Sequence, residues 1–318
     1  MKDVKNAHFL QVDRKIEKIS EGRGFVVLPA PQAFEELSFV RDYFGKKPKE
    51  GYFIWIKRSV GYPLTTCISI SSVGVSQNPK NLIVIEKNVK AEIESICNTI
   101  KKNLKGKHRG YSKVILRENS KLKIKHLHSW GKKDIVASNI EFFLEKGAKL
   151  SHTYKCLEVA GELRTENNTY LQAKASANMV FTVFAKNSKV EMRNSTFLNA
   201  KDAKGVSRIR MVGGEKSHIF AQSRMIAQEA GIGYIDCMGL LLADSASIQA
   251  VPELINKNKD ASLTHEASVG KISEEILSYL RTRGLSKDEA IDLIVAGFLG
   301  EEEPVVIKGQ VLKSEFFM

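Results

Sequence analysis

The feature that most limits how this chain can fold is an internal repeat. Six segments share one plan: "VIEKNVKAEI" (84–93), "ILRENSKLKI" (115–124), "FLEKGAKLSH" (143–152), "VFAKNSKVEM" (183–192), "VGGEKSHIFA" (212–221) and "LLADSASIQA" (241–250). Each opens on apolar residues, makes a polar turn, and places an apolar side chain three residues past the turn centre. The centres are Asn88, Asn119, Gly147, Asn187, Lys216 and Ser245, separated by 31, 28, 40, 29 and 29 residues. The flanks alternate apolar and polar and are rich in Val, Ile, Phe and Thr, as half-buried strands require. Asn and Gly at the turns tolerate positive φ. One such segment cannot bury its own apolar face, but stacked copies can. The period therefore predicts a strand solenoid with one coil per roughly 30 residues. An ordinary meander or sandwich is the competing arrangement. The 40-residue interval predicts a loop insertion around "RTENNTY" (164–170).

The repeat occupies the middle and divides the chain in three. Residues 1–75 read as a small mixed α/β cap, with a charged, helix-like start and the aromatic stretch "GYFIWIKRSVGYPL". Residues 76–268 form the solenoid core. Over 269–318 the period turns helical: Ile272, Ile276, Leu277 and Leu280 recur at helix spacing, and Gly284 marks a stop. Ser286 and Glu289 form a capping box for a second helix that offers Ile291, Leu293, Ile294 and Phe298 for packing. Glu301, Glu302, Glu303 and Pro304 should end it, and "VVIKGQVLKSEFFM" reads as an edge strand or an interaction tail. Two helices joined by a turn invite a DNA-binding reading. The second, "SKDEAIDLIVAGFLG", carries one Lys and three acidic residues, a poor match for phosphates and base edges.

Charge and cysteine usage narrow the function classes. A formal charge of +13 fits nucleic acid, an anionic surface or an acidic partner, and equally a lysine-rich solvated surface. The densest basic run, "KKNLKGKHRGYSK" (101–113), has one Tyr and no other aromatic, so it lacks the stacking platforms of a single-strand binder and reads as a solvated loop. No apolar run reaches about 18 residues, and the start has no hydrophobic signal core, so a soluble, cytoplasmic protein is expected. Cys67, Cys97, Cys156 and Cys237 form no C-x-x-C pair, which excludes a zinc ribbon or a local ferredoxin motif. If these thiols do chemistry, the fold or a second chain must gather them. His126 and His128 alternate in "KHLHSW" and so share a strand face, either as metal ligands or as a satisfied pair near Trp130. His265 and Glu266 stand where the helical period is about to begin. A carboxylate there suits a helix N-terminus. In a strand the two would point to opposite faces, and would meet one metal only if the chain bends.

The residues from Asp236 to Leu299 closely resemble the C-terminal core of the SufB/SufD family of iron–sulfur cluster assembly scaffolds. The resemblance is carried by Cys237, the turn "LLAD" (241–244), Pro252–Glu253, His265–Glu266–Ala267, and Tyr279–Leu280 followed by Arg283–Gly284. "TTCISIS", "NLIVIEKNVKAEI" and "HSWG" extend it more loosely, so that it covers most of residues 60–300. It implies a right-handed parallel β-helix and a transient iron–sulfur cluster built where two scaffold chains meet. It also implies a partner ABC ATPase of the SufC kind on the C-terminal helices, through Ile276, Leu280, Ile294 and Phe298. Cys237 and Glu266 match the SufB-type site, and His265 matches the histidine that the SufD type contributes. A homodimer playing both roles is thus expected, with a SufB/SufD-type heterodimer as the alternative. Cys237, Glu266 and His265 are the implied cluster or metal ligands, and Cys237 also the sulfur acceptor. Cys67, Cys97 and Cys156 are packing residues or a sulfur relay.

ATP hydrolysis is expected in the partner, since no G-x-x-x-x-G-K-[ST] occurs, and this chain is expected to be a scaffold and not an enzyme. The long N-terminal region of bacterial SufB chains, with its clustered cysteines, has no counterpart here, and the tail after the second helix is short. No residue is assigned to flavin. A polysaccharide-active β-helix enzyme is the alternative class. It needs paired carboxylates, or a calcium-and-arginine groove, on one sheet face, and no such cluster stands out on the alternating strands.

Overall fold

A computed structural model describes residues 7–20 and 22–300. The chain opens with strands β1 (Phe9–Val12), β2 (Lys15–Ile19) and β3 (Phe25–Pro29), short helices α1 (Ala30–Glu36) and α2 (Ser38–Phe44), then β4 (Tyr52–Ile56), β5 (Leu64–Ile70) and β6 (Ser76–Gln77). Longer strands follow: β7 (Lys80–Ile85), β8 (Lys90–Thr99), β9 (Lys107–Leu116), β10 (Lys121–Ser129), β11 (Ile135–Leu144), β12 (Lys149–Glu158) and β13 (Glu162–Leu171). The series continues through β14 (Ser176–Ala185), β15 (Lys189–Leu198), β16 (Ala203–Gly213), β17 (His218–Ala227), β18 (Gly231–Leu241), β19 (Ser247–Asn256) and β20 (Ser262–Lys271). Helices α3 (Glu274–Thr282) and α4 (Lys287–Leu299) complete it.

From β7 on, odd strands build one sheet and even strands the other, every neighbouring pair parallel. This is a parallel β-solenoid of two sheets, the fold class expected. Successive coils advance 27 to 31 residues, for example Lys90→Lys121→Lys149→Ser176 in register. Inward side chains of both sheets interdigitate in one continuous apolar core that runs from Phe9 to Cys237. Outward, Phe143, Tyr170 and Phe197 stack at 4.8 Å from ring to ring, a ladder set by the strand spacing.

Three expectations are corrected. The 40-residue interval holds no insertion, because "RTENNTY" lies inside β13. Asn88, Asn119 and Gly147 turn from the odd sheet to the even one, and their next equivalents are Lys174 and Asp202, both at positive φ (60° and 65°). Asn187, Lys216 and Ser245 make the opposite turn, from even to odd. Each coil has two similar strands and two similar turns, so the sequence pattern slipped by half a coil.

The helix-like start is a β1–β2 hairpin. Phe9 and Gln11 are buried and β1 joins β5, while most of the charged β2 faces solvent at the sheet edge. Third, His265 and Glu266 do not abut the helix. They sit in mid-strand on β20, and α3 begins at Glu274, capped by Ser273. The Ser286–Glu289 capping box is present, with Ser286 N–H donating to Glu289 at 2.8 Å. Gly284 follows α3 at φ 94°, and Gly300 ends α4 in the left-handed region. Glu301 to Met318 lie outside the described residues.

Candidate functional site at the last coil

Strand alternation and register place the three site candidates. Cys237 on β18 is fully buried and points into the solenoid. β20 pairs with β18 so that Ile235 faces His265, Asp236 faces Glu266 and Cys237 faces Ala267. Side chains in register share a face, so His265 lies on the inward side with Cys237, two residues off along the strand. Glu266 lies on the outward side, next to Asp236. The bend that would bring His265 and Glu266 onto one ion is absent. Among the described residues β20 is the last strand of the even sheet and β19 the last of the odd sheet, so His265 stands exposed at that end of the coil.

The outward neighbourhood is ionic. Arg210 grips Asp236 with two hydrogen bonds of 2.9 and 2.6 Å. Partial burial and the adjacent Glu266 carboxylate raise the Tyr234 pKa. Behind this layer, burial pushes the Cys237 thiol up to about 12, with Asp236 raising it further and Arg210 opposing. Cys237 is therefore a protonated thiol at neutral pH, and a metal or sulfur donor must displace its proton to engage it. Among the described residues, no three His, Cys, Asp or Glu converge closely enough to hold a metal ion.

A second group lies deep in the middle coils. Cys97, His128 and Cys156 stack in direct register across β8, β10 and β12, all facing inward. Cys67 is buried on β5, 3.3 Å from the Ser69 hydroxyl. His126 and His152 share a 3.0 Å hydrogen bond, and His108 bonds Gln77 at 3.1 Å. His128 packs edge-on to both Trp130 and Tyr154. His128 Nδ1, His152 Nδ1, the Tyr154 hydroxyl and Trp130 Nε1 are buried without a hydrogen-bond partner. Sequence reasoning found His126 and His128 but missed His108 and His152. The alternation His152-x-Tyr154-x-Cys156 was the available signal, since it repeats the spacing of His126-x-His128-x-Trp130.

The helical residues divide. Ile294 and Phe298 on α4 pack against a cluster that includes Val212 and Leu240 on the outer side of the even sheet. Part of the apolar surface of α4 is thus covered by the solenoid itself. Leu280 is half-buried, whereas Ile276 (52% exposed) and Tyr279 (57%) project from α3 into solvent. No helix among the described residues is long and apolar enough to cross a membrane.

Fold and site together define a parallel β-solenoid protein that carries a thiol, an imidazole and a carboxylate on its last two even strands. The family model for the SUF system FeS cluster assembly SufBD core domain matches residues 68–298. An iron–sulfur cluster assembly SufBD family protein of Archaeoglobus fulgidus is 30% identical over 94% of this chain and 85% of its own length. Relatives of the same family name from Methanothermobacter thermautotrophicus (29% identical, 78% of this chain and 62% of their own) and Pyrococcus horikoshii (26%, 87% and 67%) also match. The chain belongs to the SufBD family of the iron–sulfur cluster assembly system.

Proposed function

We propose that this chain is a scaffold subunit on which an iron–sulfur cluster is built as cargo and then released. The observation that carries the reading is that Cys237 and His265, two residues apart in register, share the inward face of the last two even strands. A cluster held by one thiolate and weaker imidazole or carboxylate donors binds less firmly than one held by four thiolates, which suits a transient product.

One chain supplies too few donors at this end, and the terminal strand indicates how more arrive. β20 spans ten residues, has no Pro, and carries only Lys271 as a cationic block, and among the described residues no strand pairs with its outer edge, which suits it to another strand. A two-fold copy docked there duplicates Cys237, His265 and Glu266 around one axis. A homodimer fits this best, and a second SufB/SufD-type chain would serve equally. The ATPase partner of the SufC kind would dock on α3 through Ile276 and Leu280, with Tyr279 beside them. Ile294 and Phe298 would hold α4 in place beneath.

Anaerobic reconstitution with ferrous iron and sulfide tests the site. Cys237→Ser should keep its melting temperature within a few degrees and lose most of the bound iron and visible absorbance. His265→Ala and Glu266→Ala should each lower the yield, and Cys156→Ser should lower it less. A folded Cys237→Ser protein with full cluster yield would overturn the assignment. Pull-down of a SufC-type ATPase by Ile276→Glu at wild-type strength would remove the docking reading.

A further inference from the structure

The two outer faces of the solenoid are built from the same repeat yet carry different charge patterns. On the odd sheet, cations sit beside carboxylates: Arg193 and Arg164 at Glu191, and Arg224 at Glu253. On the even sheet, Glu158 at the far end of β12, in register with Ser129, is the one Asp or Glu at an outward position of β10, β12, β14 or β16, while Glu92 and Glu94 on β8 face Lys123 and Lys125. Lys121, Lys123, Lys125, Lys149, Lys204 and Arg208 project from these strands instead, and the five lysines are exposed. Arg210, also outward, is taken by Asp236 on the next strand.

Lys90, Lys121 and Lys149 stand in direct register on adjacent strands, about 4.8 Å apart by strand spacing. Like charges directly opposite destabilise a sheet, so this column costs stability unless something anionic covers it. It floors a hollow of about 520 Å³, with Tyr62 and Pro63 on its wall and Glu92 the one carboxylate beside it, 3.7 Å from Lys123. A hollow of that size takes side chains, and excludes a DNA duplex or a bilayer from its floor.

We propose that the outer face of the even sheet is a docking surface for an acidic polypeptide segment of a partner protein. The glutamates and aspartates of the segment would meet the lysine column and its neighbours on β10 to β16. Tyr62 on the wall is the one aromatic at the hollow, and none occupies the outward positions between Lys121 and Thr182 on β10, β12 and β14, so the surface lacks the row of stacking platforms that single-stranded nucleic acid uses. The basic strands lead directly to β18 and β20, so a docked segment would lie alongside the last coil. The inference rests on the charge pattern alone and holds whatever cargo that coil carries.

The test uses the full chain and a fluorescent, glutamate-rich peptide of about 20 residues, long enough to cross four strands. Affinity should fall about tenfold or more in Lys121→Gln/Lys125→Gln/Lys149→Gln/Lys204→Gln, and stay unchanged in Lys107→Gln/Arg109→Gln/Arg164→Gln/Lys189→Gln on the odd sheet. Binding should weaken steeply as salt rises from about 0.05 to about 0.5 M. Circular dichroism melting confirms that both variants are folded, and the single Lys149→Gln gives a milder loss should the quadruple change disturb packing. Equal loss in both variants, or no binding by the wild type, overturns the proposal. Tighter binding of a short DNA duplex or of phosphatidylserine vesicles, lost in the same even-sheet variant, overturns it as well.

Discussion

Acidification to about pH 5 should destabilise the solenoid from its middle, because four histidines are buried there in neutral form. Burial holds His108 and His126 down to a pKa of about 4, against an ordinary 6.5, and holds His128 and His152 well below it. The unfolded chain therefore binds more protons than the folded one between those values. A depressed folded pKa gives stability that is complete above about 6.5 and is lost as pH falls toward about 4. For His108 and His126 the loss at pH 5 is about 2 kcal/mol each, and about 3 kcal/mol each at the lower limit. His128 and His152 act with the same sign. Together these terms are comparable with the whole stability of a typical domain, about 5–15 kcal/mol. The stabilised carboxylates Asp13, Glu118, Asp244 and Glu289 have lowered pKa values, so their contribution goes only at more acid pH and the window is left to histidine. Urea denaturation at about pH 8, 6.5 and 5 reads the effect as a fall in midpoint. His108→Gln should flatten the pH slope by up to about 1.4 kcal/mol per unit, one proton's worth. A midpoint that does not move between pH 8 and 5, or an unchanged slope in His108→Gln, would refute the reasoning.

Two further outcomes follow from local geometry. Gly51→Ala should cost about 3 kcal/mol or more, because Gly51 has φ of 108° and a Cβ there would lie 2.2 Å from the Lys80 carbonyl oxygen. Gly45→Ala, at φ 68° in open space, should cost about 1 kcal/mol, and thermal melting of the pair separates collision from backbone strain. Ser286→Ala removes the cap of α4 and should lower stability by about 1 kcal/mol, visible as an earlier loss of helical dichroism.

The solenoid was legible because its signals are local: polar turns that accept positive φ, and strict alternation between them. Its phase was not. Lys174 and Asp202 adopt the same left-handed backbone as Asn88 and Asn119, but lack the Asn or Gly that marks such a turn. The N-terminal strands were hidden by charge, since Lys15, Glu17 and Lys18 on β2 face solvent from a sheet edge and give no apolar period. The column Cys97–His128–Cys156 was invisible for another reason. Register between coils depends on lengths that vary from 27 to 31 residues, and a difference of one residue turns a side chain from one face to the other. Resemblance supplied Cys237, His265 and Glu266, and alternation then decided how they are shared out.

That division shapes what the last coil can do. In every earlier coil an inward side chain is sealed by the next strand, which is why the thiols of Cys97 and Cys156 are raised by burial and shut away. At β20 the stacking ends, so the inward face beside Cys237 meets solvent at His265 while the outward face presents Glu266. Cys237 itself, on β18, is covered by β20 and raised by burial as the inner thiols are, so a species arriving at the open end meets the His265 imidazole before the thiol. Arg210 on β16 and Asp236 on β18 form a two-bond ion pair on the outer side, one residue along the strand from Cys237. At this level of the even sheet a buried thiol, an exposed imidazole and a two-bond ion pair thus occur on neighbouring strands. In the proposed dimer a second chain stacked on β20 would cover that level as each earlier strand of the even sheet is covered by its successor.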